Sequence, residues 1–165
     1  MFAECQNYLV DKLRQAGVRT NIITTGKALA LTRESHLGAV IFDEETFLRN
    51  GSKKVYKDQT GATRKRRKIF DRGTAFSVII GDYRADAVEA TLGRFLALLD
   101  RGIYIDDNYV PIDLEASEWV DKDDSVINAK VAVNLRIIFR GGVYKDSPFA
   151  HISDVSITDV EKEKE

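Results

Sequence analysis

Cysteine, proline and histidine are nearly missing from this chain. A single cysteine, Cys5, leaves no internal disulfide to form. Two prolines and eleven glycines exclude a collagen-like or proline-rich protein. No apolar run approaches the ~20 residues of a membrane span, so no membrane partner is expected. Met1 to Leu13 is interrupted by Glu4, Asp11 and Lys12 and does not read as a signal peptide. The expected compartment is the cytoplasm, or a particle assembled there. Neither charge sign dominates, with 25 Lys and Arg against 26 Asp and Glu. What remains is an ordinary globular composition, 44% hydrophobic and 31% charged. At 165 residues one domain can bury roughly 70% of its unfolded surface without staples.

The equipment of catalysis is equally sparse. Cys5 lies on the apolar stripe of the first helix and reads as a buried structural thiol. No Gly-x-Ser-x-Gly elbow occurs. His36 and His151, the only histidines, are not at metal-ligand spacing from Cys5 or from each other, and lone loop histidines are usually solvated. Thr25-Gly26-Lys27-Ala28 lacks the upstream glycine of a phosphate loop, and Ala28 stands where a magnesium-binding hydroxyl would be. Asn50-Gly51-Ser52 is formally a glycosylation sequon and reads as a turn. Pro111-Ile112-Asp113 and Asn128-Ala129-Lys130 resemble a nuclease hairpin only weakly, because Asn128 replaces the second carboxylate that two-metal chemistry needs. No enzymatic activity, cofactor or metal is expected.

Periodicity supplies the elements. Phe2 to Ala16 is an amphipathic helix with Phe2, Cys5, Leu9 and Leu13 on one stripe, and Gly17 as its left-handed cap. Arg19 to Thr24 is a β-branched run that predicts a strand. Thr25 to Ser35 fits either a strand or a helical turn. Leu37 to Phe42 predicts a buried strand. Lys53 to Tyr56 and Arg64 to Phe70 flank a turn at Asp58 to Gly61 and predict a long projecting hairpin over about residues 50–72. Thr74 to Ile80, apolar or small on both faces, predicts a central strand. A helix follows from about Arg84 to Asp100, striped by Val88, Leu92, Phe95, Leu96 and Leu99. Asp86 with Glu89, or Asp82, would cap its start, and Gly102 would end it. Val110, Ile112 and Leu114 share one side of the next strand. Val131, Val133, Leu135, Ile137 and Phe139 share the core face of the last one. Lys130, Asn134, Arg136 and Arg140 share its other face, and Gly141-Gly142 breaks it. Ile152 to Ile157 is a possible short strand before the charged tail Glu161 to Glu165. The expected fold class is α+β: a mainly antiparallel sheet with two principal helices on one face. Residues 1–146 form a single domain and 147–165 a C-terminal extension.

Charge segregation is the informative feature. Residues 53–72 hold nine basic and two acidic residues, a net of +7, and residues 106–124 hold eight acidic and one basic, a net of −7. Such runs are most often solvated faces. As a functional reading, the basic stretch Arg64, Lys65, Arg66, Arg67 and Lys68 could dock on Glu118, Trp119, Asp121, Asp123 and Asp124 of a neighbouring copy. A head-to-tail contact of that kind closes into a ring when the rotation allows. Trp119 would anchor such an interface or cover the edge of the core. The alternative is a small nucleic-acid-binding protein that uses the basic hairpin on phosphates.

An N-terminal helix ends at Gly17. The strand Phe76 to Ile80 leads into a helix of about fifteen residues that ends Phe95-Leu96-Ala97-Leu98-Leu99. A hairpin and the closing strand Ala132 to Phe139 follow, with Gly141-Gly142-Val143-Tyr144 after it. In element order and length, over roughly residues 2–145, this resembles the tail terminator and tail completion proteins of long-tailed bacteriophages and prophages. The resemblance implies a small α+β structural subunit in a homo-oligomeric ring, hexameric in the family, that caps the tail tube. It implies contacts to tail tube and head-connector proteins, and a place in the virion after assembly in the host cytoplasm. It brings no catalytic residues. The hairpin and the C-terminal extension exceed the minimal family layout.

Overall fold

The computed structural model describes residues 1–121 and 131–148. Its elements are α1 (Phe2–Gln15), α2 (Gly26–Leu31), β1 (Leu37–Arg49), β2 (Lys53–Lys57), β3 (Thr63–Asp82), α3 (Ala85–Leu98), β4 (Gly102–Ile105), β5 (Asn108–Asp121) and β6 (Val131–Pro148). The fold is α+β with one antiparallel sheet in the order β1-β3-β6-β5-β4, and β2 beside β3. The expected strand Ile152 to Ile157, His151, Asn128, Lys130 and the charged tail lie outside the described residues.

Alternation along β3 and β6 builds the core. Phe76, Val78 and Ile80 share a face with Val133, Leu135, Ile137 and Phe139, and α1 and α3 cover that face through Cys5, Leu9, Leu13, Val88 and Phe95. Phe76 meets Phe139 edge to face, with ring centroids 6.0 Å apart. Each fully buried large side chain contributes ~1.5–3 kcal/mol, so these two strands and two helices hold most of the stability. The opposite face has a smaller cluster of Leu37, Ala39, Ile79 and Ala132, onto which Ile23, Leu29 and Ile41 pack. Leu29 belongs to α2, which resolves the open reading of that segment as helical; Thr25 Oγ1 caps it by accepting from the Ala28 amide.

Helix α1 ends as glycine placement demands. Gly17 has φ +105°, its amide donates to the Arg14 carbonyl, and the Val18 amide donates to the Leu13 carbonyl. That is a Schellman stop, sealed by Leu13 and Val18 in the core. Arg94 Nε of α3 donates to the Ala16 carbonyl at 2.7 Å. The helices are tied again where Tyr8 Oη donates to Asp100 Oδ2 at 3.0 Å and accepts from the Asp100 amide at 2.8 Å.

Several expected local features are different in the structure. Arg19 to Thr24 is no strand; Ile23 alone bridges β1, donating to the Gly38 carbonyl and accepting from the Val40 amide. Asn50-Gly51 does not reverse the chain. Asn50 Nδ2 donates to Asp71 Oδ2 and Asn50 Oδ1 accepts from the Ser52 amide, so the chain bulges there and resumes pairing with β3 as β2. Arg64 to Phe70 and Thr74 to Ile80 are one continuous strand of 20 residues. Helix α3 has Arg84 at its N-cap and no side-chain cap. Asp82 is instead bound to His36, and Asp86 pairs with Arg84. Helix α3 ends at Leu98 with Leu99 as its C-cap, and Gly102 opens β4. Gly141-Gly142 does not break β6, which pairs with β3 as far as Pro148. Phe2 and Leu96 are exposed rather than buried on their stripes. A bulge between Leu114 and Ala116 interrupts the β5 register, and Leu114 is exposed.

Candidate functional site

The basic run lies in a three-stranded blade made of β2, the first part of β3 and the last part of β6. Pairing register sorts its side chains into two faces, because residues directly opposite each other share a face. One face carries Lys54, Arg66 and Asp146 in one row and Tyr56, Arg64 and Pro148 in the next. The other carries the row Lys53, Arg67 and Lys145, the row Val55, Lys65 and Ser147, and the pair Lys57 and Thr63.

Apart from the exposed Lys54, the cations of the first face are neutralised within the chain. Arg66 donates from Nε and Nη2 to the two oxygens of Asp146 at 2.8 and 2.7 Å, and from Nη1 to Asn108 Oδ1 at 3.1 Å. Its guanidinium lies 4.9 Å from the Tyr56 ring centroid and 5.7 Å from that of Tyr144. These hydrogen bonds hold the Asp146 carboxyl below the usual carboxylate range. Arg64 pairs with Asp58 at 2.9 Å. Asp58 is drawn down to about 2, first by the Thr60 hydroxyl and then by Arg64. Lys68 pairs with Asp71 at 2.6 Å. The hairpin turn is thus set by its own carboxylate: Asp58 Oδ1 also accepts from the amides of Thr60 and Ala62.

The second face has no such relief. Among the described residues Lys53, Lys57, Lys65, Arg67 and Lys145 form no ion pair, and Lys53, Arg67 and Lys145 are directly aligned across three strands. Like charges placed opposite one another destabilise a sheet, and an anionic partner outside the chain would relieve this row. Beside the blade, Lys54, Tyr56, Tyr109 and Tyr144 line a cleft of about 690 Å³ against the β4–β5 turn. Asp106 and Asp107 make that turn with φ of 49° and 60°.

The acidic segment divides in the same way. Asp113 is bound by Arg140, and Glu115 by Arg136 and Arg140 at 3.3 Å each. Arg136 also holds Asp43 and Glu44 of β1. Glu118 is exposed and has no ion pair among the described residues. Trp119 pairs with Val133 and keeps 48% of its surface in solvent. Because β4 pairs only with Asn108 to Pro111, the outer edge of Ile112 to Asp121 has no strand beside it among the described residues. Asp121 closes β5, and Asp123 and Asp124 lie outside the described residues.

Of the ten residues singled out from sequence, Arg64, Arg66 and Lys68 are satisfied within the chain. Lys65, Arg67, Glu118 and Trp119 remain available. Lys53 and Lys57 were counted in the basic stretch 53–72 without being singled out; sequence reasoning missed Lys145, and it missed Asp146 as the anion that occupies Arg66. The signal was strand parity, which becomes readable only once the register is known. Elsewhere, Cys5 is fully buried and burial pushes its thiol up to about 12. His36 is not a solvated loop histidine: its Nδ1 lies 2.7 Å from Asp82 Oδ2 and its Nε2 accepts from the Arg19 amide. No group of three or more His, Cys, Asp or Glu side chains placed to hold a metal occurs among the described residues. No described helix is long and apolar enough to cross a membrane. The chain matches no protein-family model and no curated protein.

Proposed function

We propose that this chain is a structural subunit that joins copies of itself head to tail, as a ring-forming phage tail terminator or tail completion protein at the head-proximal end of a tail tube. The observation that carries the reading is the separation of unsatisfied charge. A cluster of unpaired cations, Lys53, Lys57, Lys65, Arg67 and Lys145, lies on the blade, beside Tyr144 to Pro148 of β6. Glu118 and Trp119 lie beside Asn134 and Val133, near the other end of the same strand. Eleven residues of extended strand between Val133 and Tyr144 span roughly 36 Å, so the two regions cannot meet within one copy. A second copy can bring them together, and repetition of that heterologous contact gives a closed ring when the rotation allows. Light scattering tests this directly. A single oligomeric mass, loosened as salt rises past ~0.15 M, supports the ring, and a monomer at high concentration overturns it.

A second reading is supported by the cation face itself. Five cations on one side of a blade, with a tyrosine-lined cleft beside it, also suit the phosphates and bases of a nucleic acid strand. Replacing Lys65 and Arg67 by Glu separates the two. Loss of oligonucleotide binding with unchanged oligomeric mass would favour the nucleic-acid reading, and loss of the oligomer would favour the ring.

A further inference from the structure

We propose that subunits join by strand addition, with the open edge of Ser117–Asp121 of one copy pairing along the open edge of Lys53–Lys57 of the next. The inference rests on the ring reading and names its contact. Both segments are five residues long and lie on opposite edges of the same sheet, β2 outside β3 and β5 outside β6. Each leaves a row of backbone donors and acceptors without a strand partner among the described residues, and open edges of this kind recruit strands.

Irregular features interrupt the rest of β5 and the middle of β1. Pro111 stands just before the open stretch of β5 and a bulge follows between Leu114 and Ala116. A second bulge, between Phe42 and Glu44, interrupts β1. Past these devices, Ser117–Asp121 and Lys53–Lys57 are regular.

The side chains agree with the backbone. Trp119 and Val55 sit at the centre of their segments and are exposed by 48% and 52%. Set side by side they form an aromatic and β-branched pair, one of the combinations that stabilise neighbouring strands. In that register Glu118 lies beside Lys54 if the strands run parallel, and diagonal to it if they run antiparallel. In both cases an unpaired carboxylate meets an exposed ammonium. The contact is heterologous, since the two edges differ, so it propagates around a ring rather than closing as a two-fold dimer.

Disulfide trapping in the full chain tests the contact. The native thiol does not interfere, because Cys5 is fully buried and has a raised pKa. Ser117→Cys protein is mixed with Lys57→Cys or with Lys53→Cys protein under mild oxidation. The expected result is a mixed disulfide with one partner: Lys57→Cys for antiparallel strands, Lys53→Cys for parallel ones. Dimers confined to identical variants would overturn the proposal in favour of a two-fold contact. No mixed disulfide while light scattering still shows the native oligomer would overturn the contact and leave the ring reading standing. A monomer for every variant and for the native chain would overturn both. Protection of the introduced thiols by a single-stranded oligonucleotide, with no mixed disulfide, would assign the β2 edge to nucleic acid instead.

Discussion

Phe139 and Asp146 illustrate two kinds of dependence at the scale of single residues. Phe139 is fully buried between Phe76 and Tyr8. Phe139→Ala is expected to cost ~3–5 kcal/mol, read as a lowered urea midpoint with an unchanged slope. An unchanged midpoint would mean that the strand is out of register by one residue. Asp146 acts through charge. Its carboxyl is held below its usual range by hydrogen bonds from Arg66, with Tyr56 Oη adding a third at 3.0 Å. A carboxylate with a depressed folded-state pKa contributes stability that is present above its ordinary value, ~3.9, and lost as pH falls through the depressed one. Asp146→Asn is therefore expected to destabilise the protein at pH 6, and the gap to the native chain should close as the pH drops below about 4. Denaturation midpoints measured across that range check it; a gap of constant size would mean that Asp146 does not act as an anion.

At the scale of elements, α1 behaves as its sequence pattern dictates and the blade does not. The apolar stripe of α1 needs a face to cover, and Gly17 supplies the left-handed residue that stops it. Gly17→Ala keeps the helix but forces a Cβ into that conformation, so a loss of ~1–2 kcal/mol in thermal or urea denaturation is expected. The blade works against local stability instead. Lys53, Arg67 and Lys145 are aligned in one row, and Lys145→Glu would turn the Arg67–Lys145 repulsion into an attraction. We expect Lys145→Glu to raise monomer stability by ~0.2–1 kcal/mol while it weakens assembly, read by denaturation midpoint and by light scattering. A variant that is both more stable and fully assembled would remove the blade face from the subunit contact.

On the scale of the whole molecule, charge is organised by place rather than by amount. The net charge is −1, yet a cluster of unpaired cations lies on one face of the blade, and Glu118 is an unpaired carboxylate near the far end of β6. Exposed pairs contribute only ~0.2–1 kcal/mol each, so a single change should shift the assembly equilibrium without abolishing the oligomer. Replacing Lys53, Lys54 and Lys57 together by Glu is expected to dissociate it, and Glu118→Lys combined with that triple change should restore part of the assembly. Sedimentation or light scattering reads both steps. Failure of the restoration, with the triple variant folded and monomeric, would place Glu118 outside the contact.

The sequence by itself determined the fold class, the two long helices, the central strand and the period-two closing strand, because amphipathic periodicity is written residue by residue and survives any tertiary arrangement. It also determined that the chain segregates charge. Which of those charges are free was decided only by tertiary structure. Asp146 lies 80 positions from Arg66 and meets it only because β3 and β6 pair over their whole length. The same pairing carried β6 through Gly141-Gly142 and turned Asn50-Gly51 from a turn into a bulge, since a strand already held by its neighbour overrides local turn preference. Asp82 was drawn from the helix cap to His36 for a similar reason: a long-range partner competes with a local amide, and the folded chain brings the partner closer.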